Sequence, residues 1–324
     1  MARCLVAGGA GFIGSHLVER LLAEEQEVTV LDNLSSGLRE NLAHLQASPR
    51  LRFLEGDVND TGVLNPLVFE ADVVYHLAAT VGVFNVIASP AATIANNVHE
   101  TQAVLEAAVP RKTKVIVAST SEVYGKSAKV PFQEEDDLVL GATTKSRWGY
   151  AASKIMDEFL ALAYWRQYQV PAVVVRLFNT IGPRQSGEHG MVVPRLVRQA
   201  ILGQNLTVFG TGRQSRAFTD VSDVVEWLVR LANNPEAVGQ IVNLGNTEEI
   251  TIEELAARII AVTGSRSEIE FVPYNQAYGE GFAEIDRRIP DNSKVIQLTG
   301  HRPAVTLKAM LARVCASCLQ GLPA

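Results

Sequence analysis

The chain has 324 residues, of which 47% are hydrophobic and 20% are charged, so it is too long for one minimal domain and too polar for a bundle of membrane helices. Its 29 basic and 35 acidic residues give a formal net charge of −6, and no run of Lys and Arg interrupts the sequence. Sequence-independent binding of nucleic acid depends on clustered cations. The composition therefore argues against a nucleic-acid partner.

The number of cysteines and the length of the apolar runs indicate the cellular compartment of the protein. Cys4, Cys315 and Cys318 are too few for a disulfide framework in a chain of this length. The pair Cys315 and Cys318 has no second ligand pair nearby, so we interpret it as part of an amphipathic helix and predict no metal site. The longest apolar runs are strand-length, far below the roughly 20 residues that cross a bilayer. We expect a soluble cytoplasmic protein with no membrane partner.

The first half of the chain alternates short apolar runs with helical patterns, as consecutive βαβ units do. Strands are predicted at 3–7, 27–31, 51–55, 73–77, 114–119 and 172–178, and helices at 13–24, 61–68, 91–109 and 149–168. This order predicts an α/β fold with a doubly wound parallel sheet, the Rossmann arrangement, whose ligands bind at the carboxyl ends of the strands.

After residue 179 the elements become shorter and are separated by glycine and proline. Helices are predicted at 192–203, 220–233, 251–263 and 306–319, and a strand at 241–244. We expect residues 1–180 to form the larger domain and 181–324 a smaller C-terminal α/β lobe over the open end of the sheet. Residues 240–245 are expected to return to the larger domain.

A glycine-rich turn follows the first predicted strand and opens the first helix. Gly8, Gly11 and Gly14 have the spacing that lets the backbone turn tightly and approach a pyrophosphate, to which the helix N-terminus adds partial positive charge. Asp32 ends the second strand, where a carboxylate accepts hydrogen bonds from the adenosine ribose and repels a 2′-phosphate. These residues predict that the larger domain binds NAD in preference to NADP.

Two further strand ends carry polar residues. Asp57 and Val58 follow the third strand and are placed to contact the adenine, with a helix cap as the equal alternative for Asp57. His76 ends the fourth strand, and we interpret it as a hydrogen-bonded histidine beside the cofactor.

A tyrosine and a lysine, Tyr150 and Lys154, share one face of a predicted helix. An ammonium beside a phenol lowers the pKa of the phenol and makes it a usable base near neutral pH. The fifth strand ends in Thr120, Ser121 and Glu122, which bring hydroxyls and a carboxylate to the same rim of the sheet. Together these residues predict a catalytic site.

Seven segments together resemble the extended short-chain dehydrogenase/reductase family of NAD-dependent sugar-nucleotide epimerases, dehydratases and decarboxylases. They are GGAGFIGSHL at 8–17, LDNLSSG at 31–37, HLAA at 76–79, STSEVYG at 119–125, YAASK at 150–154, RLFNTIGPR at 176–184 and QSRAFTDVSD at 214–223. The resemblance implies an enzyme that keeps NAD bound, removes hydride from carbon 4 of a nucleotide-linked sugar, acts on the ketone and returns the hydride.

The resemblance also implies roles for single residues. Tyr150 would be the base for the carbon-4 hydroxyl, Lys154 would hold the nicotinamide ribose and Thr120 would orient the sugar. Asn179 and Arg216 would contact the substrate diphosphate, which suits a guanidinium. Further implied contacts are Phe12, Ile13, Asn33, Ser36, Gly37, Leu77, Ala78, Ala79 and Asn97 with the cofactor and Val193 with the substrate.

Among the subfamilies, Thr120-Ser121-Glu122 resembles the UDP-glucuronate decarboxylases, which include the UDP-xylose synthases. The segments at 147–150 and 287–291 resemble the same group. Oxidation of carbon 4 of a glucuronate gives a β-keto acid, and Thr120, Ser121 and Tyr150 would stabilise the enolate left by decarboxylation. Glu122 would move a proton near carbon 5, and Arg288 would hold the carboxylate unless it pairs with Asp286 or Asp291.

Other functions and the assembly stay open at this point. Ala151 follows the tyrosine as in many epimerases, so a UDP-glucose or UDP-glucuronate 4-epimerase is the first alternative, a 4,6-dehydratase the second and a non-catalytic NAD sensor a third. The predicted helices 91–109 and 149–168 carry apolar residues on more than one side, including Ile155, Phe159 and Leu160. The resemblance implies that they pair in a homodimer, and burial against the sheet alone is the alternative.

Overall fold

A computed structural model describes residues 1–79, 89–187, 190–278 and 285–320. Within these ranges, none of the helices combines the length and the apolar character needed to cross a bilayer.

The largest sheet has seven strands, and each adjacent pair is parallel. In chain order the strands are β1 (Arg3–Ala7), β2 (Glu27–Asp32), β3 (Leu51–Glu55), β4 (Val73–His76), β5 (Lys114–Thr120), β6 (Ala172–Leu177), β7 (Asn179–Ile181), β8 (Leu206–Phe209), β9 (Ser215–Asp220), β10 (Ile241–Leu244), β11 (Glu249–Thr251), β12 (Ile269–Val272) and β13 (Arg287–Arg288). The order across the large sheet is β10-β6-β5-β4-β1-β2-β3. The strand order reverses beside β1, which is where a doubly wound sheet forms its ligand crevice.

The described helices cover both faces of this sheet and build the smaller lobe. They are α1 (Phe12–Ala23), α2 (Thr61–Glu70), α3 (Pro90–Ala108), α4 (Arg147–Tyr168), α5 (Val192–Ile201), α6 (Val221–Asn233), α7 (Ile252–Thr263), α8 (Tyr274–Tyr278), α9 (Ser293–Thr299) and α10 (Leu307–Gln320). Helices α1 and α6 bury their apolar stripes in the core on one face, and α2, α3 and α4 in the core on the other. Both faces are covered, which explains why the central strands are almost continuously apolar.

The smaller lobe has its own core. Helices α5, α7 and α10 pack together with β8, and Cys315 is buried in this core with Cys318 against it. Strand β9 pairs with β7, β11 and β13, while β8 pairs with β12. Helix α7 begins with a capping box, in which the Thr251 hydroxyl accepts from the backbone N–H of Glu254 and the Glu254 carboxylate accepts from the backbone N–H of Thr251.

The predicted fold class is confirmed, and most element bounds agree within two residues. Strands β1, β3 and β10 have the predicted bounds, and α4 begins at Arg147 instead of residue 149. Strand β10 lies beside β6 in the large sheet, although β7, α5, β8, β9 and α6 come between them in sequence. Of these elements, α6 packs on the large sheet.

Candidate active site

A cavity of about 560 Å³ opens at the carboxyl ends of β1, β2, β4, β5 and β6 and extends to the smaller lobe. Most residues predicted from sequence to bind cofactor or substrate, or to act in catalysis, line its wall. They are Gly8, Gly11, Phe12, Ile13, Gly14, Asp32, Asn33, Ser36, Val58, Leu77, Ala78, Ala79, Thr120, Ser121, Glu122, Tyr150, Lys154, Asn179, Val193, Arg216 and Arg288. The topology therefore brings residues that are distant in sequence to one rim.

The glycine-rich turn is too close to its neighbours for larger side chains. Gly8 has a φ of +82°, and a Cβ added there would lie 2.7 Å from the backbone nitrogen of Ala78. A Cβ at Gly14 would lie 2.1 Å from the carbonyl oxygen of Gly8. The turn passes directly into α1, with Gly11 as the N-cap and no side-chain hydrogen bond to the first turn. The backbone N–H groups at a helix N-terminus are the donors that bind a pyrophosphate.

Asp32 supports this turn from the end of β2. Its carboxylate is 7% exposed; one oxygen accepts from the backbone N–H of Ala10 at 2.8 Å and the other from that of Leu34 at 2.9 Å. Each carboxylate oxygen has a second lone pair. The residues present thus fit NAD: glycines leave room for its pyrophosphate, and a carboxylate in the cavity wall can accept from ribose hydroxyls.

Three residues predicted to contact the cofactor are absent from the cavity wall. Gly37 packs against Ala10, and a Cβ there would lie 2.9 Å from the carbonyl carbon of Ala10. Asn97 is 1% exposed and donates to the Ser153 hydroxyl, whereas its neighbour Asn96 lines the cavity. The Asn97 side chain and the side-chain position of Gly37 both face protein in this geometry, and their contacts with the cofactor stay predictions.

Asp57 is the third of these residues. It accepts from the side chain of Asn33 at 3.0 Å and from the backbone N–H of Asn59 at 2.8 Å, and the hydrogen bond from Asn59 is the main reason its pKa is lowered. The cap of α2 is Asp60, which accepts from the backbone N–H of Gly62. The helix-cap alternative for Asp57 is therefore wrong, and Asp57 instead fixes the position of Asn33 beside the cavity.

Tyr150 and Lys154 lie one turn apart on α4. The start of this helix is held by Trp148 and Ala151, which pack against Ile285. The Lys154 side chain is 3% exposed, and its Nζ lies 2.6 Å from Oδ2 of Asp157, a carboxylate with no exposed surface. The lysine is therefore paired inside the protein with an acid from the next turn of its own helix.

The expected lowering of the Tyr150 pKa is not what the structure shows. Burial raises this pKa, and the charges of Glu122 and Asp157 raise it further, while a hydrogen bond with Thr120 and the charge of Arg288 act in the opposite direction. The expectation considered Lys154 alone, but an ammonium already compensated by Asp157 has less charge to offer the phenol.

Glu122 lies among cations. Its Oε1 is 3.2 Å from Arg288 and 3.9 Å from Arg147. Burial by itself would raise the pKa of Glu122, but the charges of Arg147, Arg288 and Arg216 outweigh it and lower the pKa. Glu122 is therefore held as a carboxylate in the protein alone.

Arg288 links Glu122 to Asn179, which is predicted to contact the substrate diphosphate. It donates to Glu122 and, at 3.1 Å, to Oδ1 of Asn179; its partners are therefore neither Asp286 nor Asp291. Within the described chain, the buried Nδ2 of Asn179 has no hydrogen-bond partner. Arg216 is 5% exposed and donates to the Ser215 carbonyl oxygen at 2.7 Å. The cavity thus has cationic and amide donors beside its catalytic rim.

Sequence reasoning did not identify several residues of the wall. Arg195 stacks on Phe209 with 4.1 Å from the guanidinium carbon to the ring centroid, and Arg184 contacts His16 and Glu19 from α1. Other cavity residues that were missed are Asn96, Glu100, Arg147, Gln185, Gln214 and Tyr274. Two signals were available in the sequence. Helical spacing puts Asn96 and Glu100 on one face of α3, and Arg147, Arg184 and Gln214 lie in segments that carry the family resemblance. The other contacts depend on tertiary packing.

Comparison with known proteins identifies relatives along nearly the whole chain. Residues 4–245 match the model of the NAD dependent epimerase/dehydratase family. A UDP-N-acetyl-alpha-D-glucosaminuronate decarboxylase of Bacillus cytotoxicus is 41% identical over 305 residues, covering 94% of each chain. UDP-glucuronic acid decarboxylase 1 of Danio rerio is 38% identical over 306 residues, which are 94% of this chain and 70% of that protein.

A solved structure extends the comparison to bound ligands. The UDP-glucuronic acid 4-epimerase of Bacillus cereus, in complex with UDP-glucuronic acid and NAD, is 29% identical with a TM-score of 0.88. The match covers 98% of this chain and 99% of that one.

Proposed function

The chain belongs to the NAD-dependent epimerase/dehydratase family, and from that membership and the geometry of its site we propose that it decarboxylates a UDP-linked hexuronate to a UDP-pentose or its 4-keto form. The decarboxylases among its relatives, at 41% and 38% identity over 94% of the chain, support this assignment. NAD is the cofactor, and when bound it accepts the hydride of carbon 4 and can return it.

The main support for this proposal is the position of Arg288 in the cavity wall. Its guanidinium links Glu122, on the catalytic rim, to Asn179, at the predicted phosphate contacts. A cation in this part of the wall suits a sugar that has a carboxylate at carbon 5 and a diphosphate at carbon 1. Arg288 would orient the carboxylate, and Asn179 and Arg216 would bind the diphosphate.

The remaining residues of the rim supply proton transfer. Tyr150 would remove the proton from the carbon-4 hydroxyl, with Thr120 holding the phenol by the hydrogen bond between them. The oxidised sugar is a β-keto acid, so carbon dioxide leaves as the enolate forms. Thr120, Ser121 and Tyr150 would donate to the enolate oxygen. Glu122 would transfer a proton near carbon 5 of the sugar.

Other residues of the cavity wall would contact NAD and the substrate. Gly8, Gly11 and Gly14 would hold the pyrophosphate of NAD, Asp32 its adenosine ribose and Lys154 its nicotinamide ribose. Val58, Leu77, Ala78 and Ala79 would pack against the cofactor, and Val193, which is 1% exposed, against the substrate.

The test is incubation of the protein with UDP-glucuronate, UDP-N-acetylglucosaminuronate and UDP-glucose in separate reactions, followed by mass spectrometry. We expect one of the uronates to lose the mass of carbon dioxide and UDP-glucose to stay unchanged. A product of unchanged mass with inverted carbon 4 would replace the proposal with the epimerase alternative. Loss of water would replace it with the dehydratase, and no turnover with bound NAD would favour the sensor.

We also propose that the protein is a homodimer through α3 and α4. Ile94 on α3 and Met156 and Phe159 on α4 are 40%, 48% and 65% exposed. These apolar side chains lie on two helices that pack side by side, and a second copy of the same pair would cover them as a self-complementary interface.

A further inference from the structure

A buried amide lies behind the catalytic rim, on the edge strand of the large sheet. Asn243 on β10 is 0% exposed. Its Oδ1 accepts from the Tyr124 hydroxyl at 2.7 Å, and its Nδ2 donates to the carbonyl oxygen of Phe132 at 3.0 Å. We call these three residues the Asn243 bridge. All three lie outside the cavity wall as the structure describes it.

One end of the Asn243 bridge leads to Glu122. Tyr124 closes the single 3₁₀ turn Ser121–Tyr124, which follows β5 directly and contains Glu122. The Tyr124 ring is buried and stacks on the ring of Phe132, with 4.4 Å between the centroids and 10° between the planes. A single 3₁₀ turn has few hydrogen bonds of its own. The contacts of Tyr124 therefore help to fix the backbone that carries Glu122.

The other end leads to Arg288. The backbone N–H of Phe132 donates to the carbonyl oxygen of Ile289 at 2.9 Å, and the Phe132 carbonyl oxygen accepts from the backbone N–H of Asp291 at 2.8 Å. Ile289 directly follows Arg288, and β13 itself is a strand of two residues paired with β9. Phe132 therefore supplies a further anchor for the segment that carries Arg288.

The position of Phe132 depends on contacts from other elements. It lies in the loop that joins the 3₁₀ turn to α4, and residues 126–140 of this loop form isolated bridges but no helix or longer strand. A buried carbonyl group in such a loop needs donors from elsewhere, and Asn243 supplies one from the sheet. The backbone N–H of Asn243 also donates to Oε1 of Glu134 at 2.8 Å. This bond does not involve the amide side chain, so a substitution of Asn243 leaves it in place.

We propose that Asn243 is a positioning residue that holds Glu122 and Arg288 at their contact distance. These two side chains are 166 residues apart in sequence and meet at 3.2 Å. The hydrogen bond with Tyr124 holds the Glu122 side of the contact, and the hydrogen bond with Phe132 holds the Arg288 side. The inference rests on the proposed function, in which Arg288 orients the carboxylate of the sugar and Glu122 transfers a proton near carbon 5.

The first experiment needs no substrate. Crystal structures of the NAD-bound parent, Asn243→Ala and Tyr124→Phe give the distance from Oε1 of Glu122 to Nη1 of Arg288. We expect this distance to exceed hydrogen-bond range, about 3.5 Å, in Asn243→Ala, and to lengthen in the same direction in Tyr124→Phe. The second variant keeps the stacked ring and removes only the hydroxyl, so it supplies the test if Asn243→Ala does not fold.

Asn234→Ala is the matched control. The Asn234 amide donates to the carbonyl oxygen of Leu298 at 2.8 Å and accepts from the backbone N–H of Glu236 at 2.8 Å. It follows the end of α6 and lies outside the described cavity wall. This substitution removes a similarly bonded amide and should leave the distance between Glu122 and Arg288 as it is in the parent.

The second experiment measures kcat and KM per NAD-bound site with the uronate that the parent decarboxylates. We expect kcat/KM of Asn243→Ala to fall by roughly 10- to 100-fold, as for catalytic groups misplaced by about 1 Å. Inhibition by UDP, which lacks the uronate, should stay within about twofold, because the nucleotide contacts are separate from the bridge. A variant that is merely less stable would lose active sites without a lower kcat/KM per site.

The double variant Tyr124→Phe/Asn243→Ala completes the test. It should be no slower than Asn243→Ala alone, because the Tyr124 hydroxyl has already lost its acceptor. An unchanged distance between Glu122 and Arg288 in the single variants, or kinetic losses that multiply in the double variant, would overturn the inference. If the parent turns over no uronate, the proposed function is refuted, and the crystal structures alone decide whether Asn243 holds the pair.

Discussion

Adjacent arginines on β13 have different environments. Arg288 is 12% exposed in its side chain and pairs with Glu122 at the cavity, whereas Arg287 is 56% exposed and pairs with Glu249 at 2.8 Å. The alternation of side chains along a strand puts the two on opposite sides. Of these two arginines, only Arg288 lines the cavity, where it can contact a substrate.

Replacing Arg288 by alanine should therefore impair turnover of the uronate selectively. We expect kcat/KM to fall by at least about 30-fold, which corresponds to about 2 kcal/mol, because the substitution leaves Glu122 without its closest cation and the substrate without a partner. NAD affinity, measured by fluorescence titration, should stay within about twofold.

Arg287→Ala is the matched control for this prediction, since it removes an exposed ion pair worth about 1 kcal/mol or less. Equal activity of Arg288→Ala and the parent would remove Arg288 from the proposed site.

At the scale of elements, a buried ion pair fixes α4 to the sheet. Arg176 on β6 donates to both oxygens of Glu158 on α4, at 2.9 and 2.7 Å, and Ser119 on β5 donates to the same carboxylate at 2.5 Å. Tyr150 and Lys154 precede Glu158 on this helix. The pair therefore helps to set the position of the catalytic face relative to the strand ends.

Arg176→Met should destabilise the protein by about 3–5 kcal/mol, because it leaves the Glu158 carboxylate buried without a cation. The free energy of unfolding from urea titration measures this loss. The double variant Arg176→Met/Glu158→Met should regain most of the stability, since it removes the uncompensated charge as well. A double variant no more stable than Arg176→Met would contradict this account.

The sequence predicts the elements of this fold better than it predicts the contacts within the site. The strand bounds follow from short, strongly apolar runs, and the glycine turn from spacing along one segment. The partners of Arg288, the position of Asn97 and the direction of the Tyr150 pKa depend on side chains from other elements. Asp157 is the clearest example, because its effect on Lys154 arises from burial that the sequence pattern does not reveal.

The exposed apolar face of α3 and α4 allows the proposed homodimer to be tested by substitution. Phe159→Asp should convert the proposed dimer into a monomer in sedimentation velocity, because the 65% exposed phenylalanine would be replaced by a charge at the centre of the covered face.

Phe271→Asp is the matched control for this prediction. Phe271 is a 48% exposed phenylalanine on β12 in the smaller lobe, and its substitution should leave the sedimentation coefficient unchanged. A parent protein that sediments as a monomer would refute the dimer.

The position of β10 has a consequence for synthesis. This strand pairs with β6 at the edge of the large sheet, with register from Ile241 opposite Val174 to Leu244 opposite Leu177. A nascent chain that has released only the segments up to β6 therefore leaves that apolar edge unpaired until β10 itself has emerged from the ribosome, after the roughly 60 residues that separate the two strands. An unpaired strand edge is a site for aggregation, so the nascent chain is exposed to that risk throughout this interval.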